Sequence, residues 1–174
     1  MSRKLHIGGT IRTEGWEVFN AVAGTHVDHL GNAKDLSRFA DQSFDVLYAS
    51  HVLEHFDYIN ELGATLKEWL RVLKPEGTLY ASVPDMDILA QLFLLKDKLN
   101  QDERFFVMRM MFGGHIDAHD YHQVGLNQDF LTDYLTQAGF TNIKRVDSFD
   151  LFHDTSETQF RGVPISVNLI ASKP

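Results

Sequence analysis

Two histidine-bearing stretches concentrate the groups that could do chemistry. His51-Val52-Leu53-Glu54-His55 sets a carboxylate between imidazoles four residues apart, a spacing that on a helix turns both rings to one face and can hold a zinc ion. The second stretch is Gly113-Gly114-His115-Ile116-Asp117-Ala118-His119-Asp120-Tyr121-His122-Gln123. Glycines followed by titratable side chains read as a loop rather than a core helix. Histidine titrates near neutrality, so His119, Tyr121 or His122 could take a proton from an acceptor hydroxyl. The spacing of His115, His119, Asp120 and His122 also permits a divalent metal. The glycine pair reads as a hinge for this loop, and no metal ligand is assigned.

The 174 residues carry a formal net charge of −8 and no cysteine. Disulfides, thiolate zinc sites and a thiol nucleophile are thereby excluded. The acidic balance argues against a general nucleic-acid binder, whose phosphate affinity comes from clustered Lys and Arg. Met1-Ser2-Arg3-Lys4 leads into a short apolar segment rather than a signal-peptide core, and no apolar run approaches transmembrane length. A cytoplasmic protein without a membrane partner is expected, as a single domain over residues 1–174 with no repeat or linker.

The elements that must position these groups alternate in type. Lys4 to Ile7, Trp16 to Phe19, Thr25 to Leu30 (the weakest) and Phe44 to Ala49 read as strands, the last almost continuously apolar, as in a strand covered on both faces. Tyr58 to Leu73 has helical periodicity through Ile59, Leu62, Leu66, Trp69, Leu70 and Leu73. Lys74-Pro75-Glu76-Gly77 stops it, and Thr78 to Val83 is the next strand. Ile88 to Leu99, Glu103 to Met111 and Asn127 to Ala138 read as helices, the last with Asn127 as N-cap and Gly139 beyond its end. Asn142 to Phe149 and Ser166 to Ala171 close the chain as strands. The loop Asp150 to Ile165 between them suggests an antiparallel edge. Strand–helix alternation implies a mostly parallel α/β sheet, with a first crossover too short for the usual helix. The stripe Phe105, Met108, Met111 and Phe112 reads as core or, if exposed, as a homodimer face.

Four segments together resemble class I S-adenosylmethionine-dependent methyltransferases, in particular small bacterial methyltransferase-like proteins with a degenerate glycine motif. Lys4-Leu5-His6-Ile7-Gly8-Gly9 is similar to their first strand and glycine turn, and Phe44 through His55 to their fourth-strand motif. Glu68 to Gly77, followed by Ser82-Val83-Pro84-Asp85, resembles the helix-turn into the fifth strand. Gln137-Ala138-Gly139-Phe140 resembles the turn before the sixth. The resemblance implies a single Rossmann-like domain using S-adenosylmethionine as cofactor, with a small-molecule or glycan acceptor. It places Gly8, Gly9 and Thr10 at the cofactor turn and Asn20 against the ribose. Asn32 and Ala33 fall at the adenine, and Ser50 and His51 at the methionine end. His55, His119 and His122 are the candidate catalytic residues. Asn20 and Asn32 stand where the family has acids, and Thr10 where it has a glycine. Asn20→Asp is accordingly expected to strengthen cofactor binding by about 1 kcal/mol through a charge-assisted hydrogen bond.

Two further readings compete. The departures at Thr10, Asn20 and Asn32 favour a catalytically degenerate binding or scaffold domain that keeps the fold. The His-x-x-Glu-His pattern suggests a zinc hydrolase. That reading ranks behind both because the motif directly follows a buried strand instead of lying within a helix.

Overall fold

The computed structural model describes residues 2–174. Four short strands open the chain: β1 (Lys4–Ile7), β2 (Glu17–Asn20), β3 (His29–Leu30) and β4 (Phe44–Ser50). All are parallel, with β2 beside β1, β3 beside β2 and β4 on the other side of β1. The first crossover is short, as expected. Among the described residues no helix stands anywhere between β1 and β4, so the strand–helix alternation begins only later. Of the expected strand over Thr25 to Leu30, only His29–Leu30 pairs. The remainder is too rich in polar residues to bury.

Helix α1 (Leu62–Val72) turns Leu62, Leu66, Trp69 and Val72 inward. It begins later than the periodicity predicts because the Asp57 carboxylate accepts from the backbone N–H groups of Ile59 and Asn60 and holds them in a turn. The chain then runs straight into β5 (Leu73–Pro84), which pairs parallel with β4. The expected stop at Lys74 to Gly77 is thus the irregular head of this strand, where Glu76 takes a left-handed φ of 63°.

Asp85 caps α2 (Met86–Leu94), accepting from the Asp87 and Ile88 amides. The chain leaves the helix at Leu95, short of the predicted Leu99. Helix α3 (Gln101–Phe112) starts with a reciprocal capping box between Asn100 and Glu103. Its buried residue is Val107. Phe105 and Phe112 are 59% and 52% exposed, while Met111 packs against a second buried cluster around Leu89, Leu92 and Val107, so the predicted apolar stripe is core only in part. Helix α4 (Gln128–Ala138) has the predicted Asn127 cap, and Gly139 ends it with φ 107°.

Strand β6 (Thr141–Val146), the hairpin β7 (Gln159–Phe160) and β8 (Val163–Pro164), and β9 (Ser166–Ser172) complete the chain. Strand β9 lies antiparallel between β5 and β6, giving among the described residues a seven-stranded sheet in the order β3-β2-β1-β4-β5-β9-β6. This is the Rossmann-like α/β architecture with an antiparallel edge that the sequence predicts.

The two faces of the sheet are covered differently. Leu5, Ile7, Leu47, Ala49, Leu79 and Ala81 pack under α1 and α4 in the main core. On the opposite face His6 and Tyr48 meet Trp16 and Phe152, so loops take the place of a helix there. Among the described residues no helix is long and apolar enough to cross a membrane.

Candidate functional site

The parallel strands all end at one edge, where α/β sheets present ligand-binding loops. After β1 the chain turns at Gly8 with φ 78°. A Cβ there would lie 2.6 Å from Val52 Cγ2, so only glycine lets this turn close against the loop after β4. The Gly8 amide donates to Phe19 O (2.8 Å). Among the described residues, the Gly9 and Thr10 amides donate to no protein acceptor.

Two adjoining clefts meet at Gly8 and His51. The first, about 390 Å³, is walled by Gly8, Asn20, Asn32, Ala33, His51 and His55, with His119, Tyr121 and Gln123 from the loop after α3. That volume falls within the about 300–1,000 Å³ usual for small-molecule sites. The second, about 610 Å³, is lined by Thr10, Ser50, Phe152 and Asp154 among others. Of the sequence-predicted residues, seven therefore share the first cleft, while Thr10 and Ser50 line the second. Gly9 lines neither, being packed against the His6 ring, and His122 sits behind the wall.

The asparagines are partly committed. Asn20 donates through Nδ2 to Gly9 O and accepts from the Val22 amide at Oδ1, both at 2.9 Å. Its amide braces the glycine turn, so the gain expected from Asn20→Asp has to be lowered. Asn32 Oδ1 accepts from the Lys34 amide at 3.1 Å. Each carboxamide oxygen keeps a second lone pair. With the unpaired amides of Gly9 and Thr10, this donor and acceptor set fits a polar nucleoside-type cofactor.

Behind His55 the structure assembles a group of four residues. His51 leaves β4 with a left-handed φ of 53° while its amide bonds to Ser82 O (2.9 Å). Leu53–His55 is a single 3-10 turn that buries Glu54 to 1% exposure. The Gln123 amide bonds to Glu54 O at 2.7 Å and docks the loop after α3 onto this turn. That loop is closed by Gly113 (φ 89°), where a Cβ would meet Asp120 O, and His122 follows.

Glu54 Oε1 lies 3.7 Å from His51 Nδ1, 3.9 Å from His122 Nε2 and 4.0 Å from His55 Nε2. Neither carboxylate oxygen has a hydrogen-bond partner. The outer nitrogen of each ring is taken. His55 Nδ1 bonds to Tyr121 O (3.1 Å) and His122 Nδ1 to Met111 O (3.2 Å). Carbonyls only accept, so those nitrogens carry the proton. His51 Nε2 meets Ser166 Oγ at 2.9 Å, and that hydroxyl donates onward to Thr155 O. It therefore accepts from His51. By this network all three rings present lone pairs to one carboxylate. Burial pushes the Glu54 carboxyl up to about 8 and holds His51 and His122 down to about 4, with neighbouring imidazoles adding to the histidine shifts. Burial also lowers His55.

The metal set suggested by loop spacing does not assemble. His115 stacks on Tyr121 with ring centroids 4.0 Å apart and bonds to Phe112 O, and His119 is exposed on the cleft wall. Sequence reading carried Glu54 only inside the zinc and fourth-strand patterns and gave Gln123, at the end of the second stretch, no role of its own. Glu54 carried a legible signal, an acid inside an otherwise apolar run after a buried strand. Gln123 carried none.

A methyltransferase-domain family model matches residues 12–81. Over 135 residues the chain is 31% identical to a demethylmenaquinone methyltransferase from Chlorobaculum parvum, covering 74% of this chain and 52% of that protein. It thus spans about half the length of this curated relative. A SAM-dependent methyltransferase from Archaeoglobus fulgidus superposes with TM-score 0.62 at 15% identity, over 99% of this chain and 86% of that one. The 1,6-didemethyltoxoflavin-N1-methyltransferase from Burkholderia thailandensis, solved with 1,6-didemethyltoxoflavin and S-adenosylhomocysteine, superposes with TM-score 0.61 at 13% identity, over 99% and 71%.

Proposed function

We propose, for a chain that belongs to the class I S-adenosylmethionine-dependent methyltransferase family, that it binds S-adenosylmethionine in the first cleft and methylates a small-molecule or glycan acceptor. The observation that carries this reading is the Gly8 turn, glycine by steric necessity, facing Asn20, Asn32 and His51 across one cleft at the strand ends. The cofactor supplies an electrophilic methyl group when bound.

Thr10, on the adjoining second cleft, would offer its amide to the amino-acid end, and Asn20 and Asn32 would accept from the nucleoside. Ser50, whose hydroxyl bonds with Thr155 at 2.8 Å, braces the second cleft beside the methionine end. Transfer from a sulfonium depends mainly on alignment, so the wall formed by His55, His119, Tyr121 and Gln123 has the task of orienting the acceptor and excluding water. His119, on the wall of the first cleft, would receive the acceptor's proton. Its backbone is fixed by a 2.7 Å bond from its amide to Asp117 Oδ1. The acidic chain suits an acceptor other than nucleic acid, and a cytoplasmic single domain is the setting consistent with this reading.

Titration calorimetry with S-adenosylhomocysteine tests the proposal. The expected result is one ligand per chain, lost in Gly8→Ala. No heat from the folded parent at about millimolar ligand, a standard free energy weaker than about −4 kcal/mol, would overturn it and favour the scaffold reading.

A further inference from the structure

We infer that Glu54, His55 and His122 form a three-ligand binding site for one divalent first-row transition-metal ion of the zinc type, with His51 beside it and a coordination position left open. The ligand atoms of Glu54, His55 and His122 all lie within 4.8 Å of one another. Ligand atoms from two separate stretches, residues 51–55 and the loop after α3, converge here with no hydrogen-bond partner for either Glu54 oxygen, inside a wall that leaves Glu54 1% exposed. Lone pairs facing one another in a dry site repel, and a cation is the species that satisfies all of them together. Imidazole and carboxylate without thiolate suit zinc and its neighbours rather than magnesium or calcium.

The outer shell agrees with this assignment. Metal-binding histidines characteristically donate their other ring N–H to a carbonyl or similar acceptor, which fixes the tautomer. All three imidazoles do so, through Tyr121 O, Met111 O and Ser166 Oγ. The inner atoms stand 3.7–4.0 Å from Glu54 Oε1. Two zinc bonds of about 2.0–2.1 Å at a tetrahedral angle span about 3.3–3.4 Å, so each histidine must approach Glu54 by a few tenths of an ångström, and His55 and His122, whose ligand atoms lie within 4.8 Å of each other, must draw together by up to about 1.5 Å. His51 and His55 also line the first cleft. If the methyl-transfer reading holds, a cation here sits at the cleft's acceptor end and favours an acceptor with an oxygen donor.

The site is tested on the full chain after treatment with a chelator. Zinc titration by calorimetry should give one ion per chain, and cobalt(II) should develop a visible d–d band. Glu54→Gln and His122→Ala should each weaken zinc by at least about tenfold, while His115→Ala, outside the cluster, should leave it unchanged. Circular dichroism checks that the variants fold. Because Glu54→Gln is nearly isosteric, its thermal midpoint gives a second reading. Zinc should raise the midpoint of the parent and not that of the variant. No zinc binding by the folded parent, or equal binding by parent and Glu54→Gln, overturns the site. S-adenosylhomocysteine titrated into the same metal-free samples separates the two proposals. Cofactor binding without zinc binding removes the metal site alone, and zinc binding without cofactor binding removes the methyl-transfer reading alone.

Discussion

His6 and Glu54 are both buried titratable groups near the strand ends with an unpaired polar atom, yet their surroundings differ in kind. His6 sits among the rings of Trp16, Tyr48 and Phe152, with centroids 6.4, 4.9 and 4.3 Å away. Its unbonded Nδ1 faces no converging donor set. Glu54 is surrounded by three imidazoles whose tautomers are fixed from outside. Burial alone perturbs both groups. Convergence of ligand atoms distinguishes the second, so His6 is a packing residue and Glu54 part of a site.

The largest effect that sharpens this contrast is acid destabilisation at His6. Burial lowers its pKa from 6.5 to about 4, against an opposing pull from Asp154. Above pH 6.5 it is neutral in both folded and unfolded chains and stability is unaffected. As pH falls from 6.5 towards 4, the unfolded chain takes up a proton that the folded one refuses, and stability is lost. The full shift corresponds to at most about 3 kcal/mol. His51 and His122 add losses of the same sign, so the measurement is a difference. Denaturant unfolding of His6→Leu should show a shallower decline between pH 6.5 and 4 than the parent. Parallel declines would mean that His6 is not held neutral.

Gly8→Ala should cost about 2 kcal/mol, since a left-handed φ penalises any Cβ by about 1–2 kcal/mol and this one meets Val52. Gly15, with φ 79° and nothing within 4 Å of its virtual Cβ, supplies the comparison. Gly15→Ala should cost about 1 kcal/mol and spare cofactor binding. Equal costs would remove the steric argument for the Gly8 turn. In metal-free protein above pH 8, where the carboxyl is ionised, Glu54→Gln should raise stability by about 1 kcal/mol, because the neutral amide can donate to one of the facing lone pairs. A fall of similar size in urea unfolding would mean that the carboxyl already has a partner.

Much of the scaffold was legible because its signals are local. The apolar run of β4, the α1 periodicity, the Asn127 cap and Gly139 each depend on residues within a turn or two. The His51–Glu54–His55 triplet was visible as letters. Its assembly was not, because it depends on a left-handed turn at His51, a 3-10 turn instead of a helix, and His122 delivered by a distant loop pinned to Glu54 O. The carbonyls of Tyr121 and Met111 that orient the rings have no sequence signature, since every residue carries one. The helix-free stretch from β1 to β4 was only half legible. The short first crossover can be counted, but that loops and aromatic rings cover the sheet face needs the tertiary structure.

The smallest expected effect is also the most discriminating for the cofactor cleft, which adjoins the Glu54 site through His51. In Asn20→Asp the oxygen facing Val22 N is retained and gains charge, but the Nδ2 donor to Gly9 O is replaced by a second oxygen set against that carbonyl. Losing one neutral hydrogen bond costs about 1 kcal/mol, so the ligand-free variant should be less stable by about that amount. A carboxylate would accept from a ribose hydroxyl more strongly, by about 1 kcal/mol over a neutral amide. Loosening the glycine turn works against that gain. The two nearly cancel, and the affinity for S-adenosylhomocysteine should change by less than about fivefold, equivalent to about 1 kcal/mol. Calorimetry and denaturant unfolding on the same pair of proteins measure both quantities. A gain beyond tenfold would mean that the Asn20–Gly9 brace is released when ligand binds. A loss beyond tenfold would mean that the side chain serves the turn alone and that the ribose lies elsewhere in the cleft.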